Sequence, residues 1–348
     1  MDYIVNSLLD TDFYKFTMGQ LVFHRYRAVP VKYAFKNRTP NIPLSRLIPE
    51  ENLRRELDHI KDLSFNNSEL HYLRGTNEYG ERMFKEDYLQ FLKEFRMPEY
   101  ELEKNGDTYL LEFSGPWSEA IYWETFALSI INELYYRALM SGMSEFEKDA
   151  VYAERTLRLF EKIKLLRQYP ELSYCDFGTR RRFSGRNQDY VVRVMSEEMP
   201  RSQFVGTSNT YLAMKHGLVP MGTSAHETFM VMSGIMYATD EDIRKSHNKV
   251  LQDWWEEYGW GLSIALTDTY GTDYFFRDFT EEQARNWKGL RQDSGDPIEF
   301  GEKAINFYES RGINPKEKLI VFSDGLDVNE MIKIYLHFKG RIRITFGW

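Results

Sequence analysis

Hydrophobic and polar positions change texture near residue 172. Before it, apolar residues recur at helical spacing, with short alternating stretches between them. Leu9-Asp-Thr-Asp-Phe-Tyr-Lys-Phe-Thr-Met18 opens on an acidic cap cluster and predicts a helix running to about Tyr26. Val29 to Phe35 predicts a strand, closed by Lys36-Asn-Arg-Thr-Pro40. Leu44 to Ile60 predicts a charged helix, and Ser68 to Phe95 two more. Tyr100 to Phe113 alternates as paired strands do, with a turn at Asn105-Gly106. This α+β block ends near Ser114-Gly-Pro-Trp117; Ala120 to Met140 and Glu145 to Tyr169 then predict long helices.

From Leu172 the pattern becomes strand, polar tip, helix, repeated. Leu172–Cys175 ends at Asp176, Gln203–Thr207 at Ser208, Gly217–Gly222 at Thr223 and Leu262–Thr267 at Asp268. Trp287–Arg291 leads to Asp293, Leu319–Ser323 to Asp324, and Arg341–Phe346 to Gly347. Strands alternating with amphipathic segments predict an α/β fold with a parallel sheet. Polar residues at the strand ends predict a site at the C-terminal mouth of a closed barrel. An open doubly wound sheet with a site at its switch point is the alternative. Seven strands is one fewer than an eight-stranded barrel, and the chain stops inside a strand end, which leaves room for a C-terminal continuation. The division read from this pattern is an N-terminal α+β domain over residues 1–118 and a barrel domain over 119–348.

Composition narrows the function. A chain of 348 residues is long enough for a barrel-sized core and an added domain. The net charge is -8 and basic residues are scattered, which argues against nucleic acid as a partner. A single cysteine, Cys175, excludes an intrachain disulfide and a cysteine zinc cluster. The start Met1-Asp-Tyr-Ile does not read as a signal peptide, and no apolar run approaches the ~18 residues a membrane span needs. The expectation is a soluble, cytoplasmic protein with no membrane partner.

Candidate chemistry clusters at the strand ends. In Met221-Gly-Thr-Ser-Ala-His-Glu-Thr-Phe229, His226 sits where a strand hands over to a helix. Thr223 or Ser224 would cap that helix, so its free N–H groups would face an anion beside an imidazole able to take up a charged group. The plainer reading is a buried structural histidine. Arg291-Gln-Asp-Ser-Gly-Asp-Pro297 crowds an arginine and two carboxylates onto one turn. Arg291 suits a phosphate or carboxylate, and Asp293 with Asp296 suits Mg²⁺ through water or ribose hydroxyls. Asp296 before Pro297 reads equally well as a helix cap. Phe322-Ser-Asp-Gly-Leu-Asp327 reads as a phosphate cradle at a helix start through Ser323, Asp324 and Gly325, or as an ordinary cap. Asp176-Phe-Gly-Thr-Arg180 offers Phe177 for stacking and Arg180 for an anion, and Gly206-Thr-Ser-Asn209 offers hydroxyl and amide donors. His226-Glu227 is not a zincin motif, since position 230 is Met, and no P-loop occurs.

Taken together and in order, Thr11-Asp-Phe-Tyr-Lys-Phe-Thr-Met18, Phe35-Lys-Asn-Arg-Thr39, Asp176-Phe-Gly-Thr-Arg180, Gly206-Thr-Ser-Asn209, Gly222-Thr-Ser-Ala-His-Glu227, Asp293-Ser-Gly-Asp-Pro297, Ser323-Asp-Gly325 and Phe346-Gly347 resemble the nicotinate phosphoribosyltransferases. The resemblance spans nearly the whole chain. It implies an irregular (β/α) barrel of the type II phosphoribosyltransferase kind, with an N-terminal α+β domain, in a homodimer with shared active sites. It implies a reaction joining nicotinate to 5-phosphoribosyl 1-diphosphate in NAD biosynthesis, with Mg²⁺ and with ATP as co-substrate through a phosphohistidine at His226. Phe177 would stack on the pyridine ring, and Tyr14 of a second subunit would cover its other face. Arg180, Ser208 and Arg291 would surround base and phosphates, and Asp293 would meet the ribose. Ser323, Asp324, Gly325 and Gly347 would hold the 5-phosphate, and Asp268 would fix the His226 tautomer. The competing readings are a nicotinamide phosphoribosyltransferase, whose matching position carries Asp where this chain has Ser208, and a catalytically silent binding homologue. A quinolinate enzyme would have no need of the His226 segment.

Overall fold

The computed structural model describes residues 2–78 and 80–348; Met1 and Tyr79 lie outside it. The N-terminal block holds an antiparallel sheet of β1 (Pro30–Ala34), β4 (Tyr100–Asn105) and β5 (Thr108–Pro116), in the order β1-β5-β4. Gly106 takes φ +59° in the turn that joins β4 to β5. A small hairpin, β2 (Asn77–Glu78) with β3 (Glu81–Arg82), separates helices Asn67–Gly75 and Glu86–Glu94. The helix expected over 44–60 is two pieces, Leu44–Leu47 and Glu50–Asp62. Ile48 is extended (φ -109°, ψ 110°) because it precedes Pro49, whose ring excludes the helical region for its neighbour.

The seven strands expected after residue 172 all form, within one parallel sheet. They are β6 (Tyr174–Asp176), β7 (Phe204–Thr207), β8 (Val219–Pro220), β9 (Ile264–Leu266), β10 (Gly289–Gln292), β11 (Leu319–Phe322) and β12 (Arg343–Gly347). Their order is β8-β7-β6-β12-β11-β10-β9. The sheet curls but does not close by hydrogen bonds, a correction to the closed barrel. Its edges, β8 and β9, are consecutive in sequence, with helices His226–Ile235 and Asp240–Tyr258 between them. β8 ends on Pro220, which has no N–H to extend a ladder. Because all seven strands run the same way, their polar tips gather at one end.

One helix joins the two blocks. Tyr14–Arg25 is buried at every position from Tyr14 to Val22, so neither an apolar stripe nor a solvent face describes it. Its acidic approach does not cap it: the N-cap is Phe13, without a side-chain bond, and Asp10 and Asp12 reach across to the parallel sheet instead. Gly19 lies under the hydroxyls of Tyr88 and Tyr122, either of which would be 2.5 Å from a Cβ there. The segment before the helix is pinned to the ends of β7 and β8. Phe13 N donates to Ser208 O (2.6 Å), Thr210 N to Thr11 O (2.9 Å), and Thr17 Oγ1 to Thr223 O (2.7 Å).

That close seating has a measurable consequence. A Cβ at Gly222 would lie 2.7 Å from Tyr14 N, whereas one at Gly115 would meet nothing nearer than Pro98 at 3.6 Å. Gly222→Ala is expected to destabilise by about 1–3 kcal/mol, the usual cost of forcing atoms into a packed contact, and Gly115→Ala by clearly less. Equal midpoints in urea for the two variants would refute this.

Candidate active site

At one end of the cluster stands His226, the first residue of its helix. The N-cap is Ala225 and makes no side-chain cap bond, so neither Thr223 nor Ser224 has the capping place expected of it. Thr269 Oγ1 lies 3.0 Å from His226 Nδ1, and Asp293 Oδ2 lies 3.2 Å from Nε2. Asp268, expected to orient the imidazole, is 4.0 Å from Nε2 and does not bond to it. Its Oδ2 accepts instead from Asp293 N (3.1 Å) and the Ser294 hydroxyl. The other oxygen, Oδ1, is the one that faces Nε2 at 4.0 Å and is buried without a hydrogen-bond partner.

Asp293 is the hub of this end. Its Oδ1 accepts from Arg291 Nη2 (3.0 Å) and Ser323 Oγ (2.6 Å). Burial pushes its carboxyl up, but the hydrogen bonds from His226 and Ser323 and the Arg291 charge outweigh that and hold it below the usual carboxylate range. Arg291, buried on β10, also donates from Nε to Ser323 Oγ (2.9 Å) and from Nη1 to Ser224 O (3.1 Å). The guanidinium therefore links the ends of β10 and β11 to the segment after β8.

Arg291 also lies over the Phe177 ring, 5.8 Å from its centroid, which leads to the second end of the cluster. Phe177 N donates to Trp348 O (2.7 Å), and its ring packs on Gly347, where a Cβ would come within 2.4 Å. Gly347 thus seats the stacking candidate. Beyond it, Arg180 donates from Nη1 to Glu124 Oε1 (3.1 Å) and pairs through Nε with Asp12 Oδ2 (3.3 Å). Ser208 is buried and donates to Asp12 Oδ1 (2.6 Å). Burial pushes the Asp12 carboxyl up, against Arg180 and Ser208. Tyr14 lies here in its own chain, with Arg180 5.5 Å from its ring centroid and its hydroxyl 3.4 Å from Glu124 Oε2. The bonds of the segment before the helix place Tyr14 beside Arg180 of its own chain.

Two expected anion cradles are filled or displaced. The first-turn N–H groups after Ser208 already have acceptors: Thr11 O, Leu9 O and the Asn209 side chain. Ser323-Asp-Gly325 is a loop and not a helix start, since the next helix begins at Val328 under an Asp327 cap. Within that loop Ser323 joins the Asp293 cluster, whereas Asp324 and Gly325 are exposed. Asp296 takes the cap reading: it caps the helix Pro297–Glu309 by accepting from Glu299 N (2.8 Å). Among the described residues, no group of three or more His, Cys, Asp or Glu is arranged to hold a metal.

Sequence reasoning missed the buried charges that join the two ends. Lys15, fully buried, lies 2.6 Å from Glu124 Oε2 and 2.5 Å from Glu227 Oε2. Glu227 also accepts from the Tyr33 hydroxyl and from Trp117 Nε1 (3.1 Å). Lys15 and Glu124 read as parts of predicted helices, and Asp12 as part of an acidic cap cluster. The one signal was Lys15 between Tyr14 and Phe16 in a run otherwise short of charge. No helix among the described residues is long and apolar enough to cross a membrane.

Comparisons with known proteins converge. The model of the nicotinate phosphoribosyltransferase (NAPRTase) family matches residues 172–348, and that of the NAPRTase N-terminal domain matches residues 9–132. A solved nicotinate phosphoribosyltransferase from Porphyromonas gingivalis is 32% identical with a TM-score of 0.85, over 99% of this chain and 84% of that one. One from Vibrio cholerae is also 32% identical, with a TM-score of 0.84, over 99% of this chain and 79% of that one.

The pairing of Glu124 makes a pH prediction. Burial raises its pKa, but Lys15 and then Arg180 outweigh it and lower the group from 4.5 to about 2. A folded-state pKa below the unfolded one favours folding fully above the unfolded value. That contribution fades as pH falls from 4.5 toward 2. Glu124→Gln should therefore be less stable than the parent at neutral pH, with the gap narrowing across that window in urea titrations. A gap independent of pH would contradict the pairing.

Proposed function

The chain belongs to the nicotinate phosphoribosyltransferase family, and we propose that it joins nicotinate to 5-phosphoribosyl 1-diphosphate, giving nicotinate mononucleotide and diphosphate for NAD biosynthesis. The observation that carries the proposal is the His226–Asp293–Arg291–Ser323 cluster, which continues through Phe177 at the ends of four parallel strands. A flat ring on Phe177 would lie between Arg180 on one side and Arg291 on the other. Arg180 would meet the carboxylate of the base. Arg291 and Ser323 would meet phosphate oxygens, and Asp293 the ribose hydroxyls. Departure of diphosphate leaves positive charge on the ribosyl carbon, and the ring nitrogen of nicotinate supplies the electron pair for the new C–N bond. Donors already fixed by the fold then act where charge develops on the leaving group.

Mg²⁺ enters this reading bound to the diphosphate, as part of the substrate. The residues fit that role: Asp268 Oδ1 is a carboxylate oxygen without a hydrogen bond, near Asp293 and 4.0 Å from His226 Nε2. The metal would offset the charge of the departing diphosphate.

ATP coupling through His226 is the finer part of the proposal. Asp293, held ionised, can only accept, so the imidazole proton belongs on Nε2. The Nδ1 lone pair is then the nucleophile toward the γ-phosphorus of ATP, once the Thr269 hydroxyl moves aside; ADP leaves, and Asp293 stabilises the charge that develops on the ring. Labelled ATP should give an acid-labile, base-stable label that is absent in His226→Ala, and ³¹P spectra should show the Nδ1 isomer. His226→Ala should keep ATP-independent turnover, slower by about 10²–10³-fold, as when one preorganised electrostatic group is lost. A stable label in the variant would remove His226 from the role.

One observation favours the amide instead: Asp12 places a carboxylate against Ser208. Ser208 holds one of its oxygens and Arg180 the other, so the Asp12 charge is already offset, and the second face of Arg180 remains for a substrate carboxylate. Nicotinate remains the better substrate on this argument. Rates at limiting concentration of each base should favour nicotinate by about tenfold or more, since a polar mismatch leaves a buried group unpaired. Ser208→Asp, which sets a second carboxylate against Asp12, should depress nicotinate use further than nicotinamide use. Equal rates on both bases with the unaltered protein would overturn the choice of acid.

A further inference from the structure

Lys15 stands between the two ends of the site and lines neither. Glu124 shares it with Glu227, and Glu124 also holds Arg180. The result is an unbroken series of buried or half-buried charges, Asp12–Arg180–Glu124–Lys15–Glu227, whose last member follows His226 in the chain. Counted as ions, it has three negative and two positive members. Glu227 has neutral donors to fall back on, the Tyr33 hydroxyl and Trp117 Nε1. Among the described residues, Glu124 has the Tyr14 hydroxyl at 3.4 Å and otherwise its two cations. Without the Lys15 charge, Glu124 and Asp12 would compete for one guanidinium. A buried carboxylate that loses its cation is strongly destabilised and takes what charge is near.

We propose that Lys15 is a positioning residue for the base: by satisfying Glu124 it keeps Arg180 divided between Glu124 and Asp12, with its guanidinium presented to the substrate carboxylate. The inference rests on the proposed use of nicotinate. It gives the buried lysine a task beyond holding two blocks together, and it ties substrate recognition to the helix that joins them. Glu227 fixes Lys15 from the far side, so the ammonium cannot follow Glu124 if that side chain swings.

Lys15→Met keeps the length and removes the charge. The KM for nicotinate should rise by about 10–100-fold, the range for losing a charge-assisted hydrogen bond, while the KM for 5-phosphoribosyl 1-diphosphate changes by about twofold at most. Glu124→Gln takes one of its two carboxylates from Arg180 and should raise the same KM, and because Lys15 acts through Glu124, Lys15→Met/Glu124→Gln should raise it no further than Glu124→Gln alone, a coupling a double-mutant cycle measures. A purely structural lysine predicts otherwise: both KM values and the melting temperature shift together, and the two substitutions add. An unchanged nicotinate KM in Lys15→Met, or additive losses in the double variant, would overturn the proposal.

A crystal structure of Lys15→Met reads the same idea without any reaction. Arg180 should leave Asp12 and pair with Glu124 through two nitrogens; an Arg180 in its original place would refute the inference. Should Lys15→Met not fold, the structure of Glu124→Gln serves, with Arg180 expected to turn fully to Asp12 and an unmoved Arg180 counting against the proposal. If the unaltered protein makes no product from nicotinate, the functional reading fails, and the position of Arg180 still decides this one.

Discussion

Burying a lysine with no exposed atom is expensive unless the charge is matched, and here it is matched twice. The Lys15 ammonium between Glu124 and Glu227 is the constraint on which the joining of the two blocks depends. Helix Tyr14–Arg25 brings the cation, the start of helix Trp123–Met140 brings one carboxylate, and the His226 helix brings the other. Tyr33 from the antiparallel sheet and Trp117, the residue after β5, complete the shell around Glu227. Five elements therefore meet around one ammonium and its two carboxylates. Apolar packing alone would let these elements slide. A buried ion pair costs more when misaligned, so it selects one register among many with similar hydrophobic burial. Burial pushes the Lys15 pKa down, but Glu124 and Glu227 outweigh it and hold the group above its usual value.

The open edge of the parallel sheet follows from the same arrangement. β8 and β9 do not pair, and across the gap the chain substitutes side-chain bonds for a ladder. Arg291 reaches from β10 to Ser224 O, and His226 reaches from the β8 side to Asp293 and Thr269. These bonds use groups that a hydrogen-bonded barrel would leave free, and they set the imidazole, a guanidinium and a carboxylate within contact of one another. The gap is filled by chemistry instead of by a further pair of strands.

Much of this was legible in the sequence, and the limits are physical. All seven parallel strands were readable because apolar runs of four to six residues between polar tips and amphipathic segments have few other interpretations. The clustering of Arg291, Asp293, Ser323 and His226 was legible for the same reason: parallel strands bring their ends together whatever the loops do. The cap reading of Asp296 held, and those before Phe229 and Tyr14 failed. Ser224, Thr223 and the acidic pair Asp10 and Asp12 have cap chemistry, yet Ala225 and Phe13 hold the N-cap places. Local preference for a cap is about 1 kcal/mol, less than the pairing of Asp10 with Arg182 or of Asp12 with Arg180, so tertiary contacts win.

Lys15 was beyond reach for a related reason. A lysine in a helix is ordinarily a solvent-facing residue, and only the positions of Glu124 and Glu227, more than a hundred residues away, turn it inward. Nothing in a local window encodes that. Yet the neighbours of Lys15 did carry the information in another form. Tyr14, Phe16, Thr17 and Met18 are buried along with it, so the helix has no polar face for a lysine to occupy. A helical segment with no solvent face that still contains a charge must bury that charge, and a buried charge must find a partner of opposite sign. Reading the run from Tyr14 to Val22 as buried all round would have demanded a carboxylate for Lys15 from another part of the chain, and with it a link between the helix and the site.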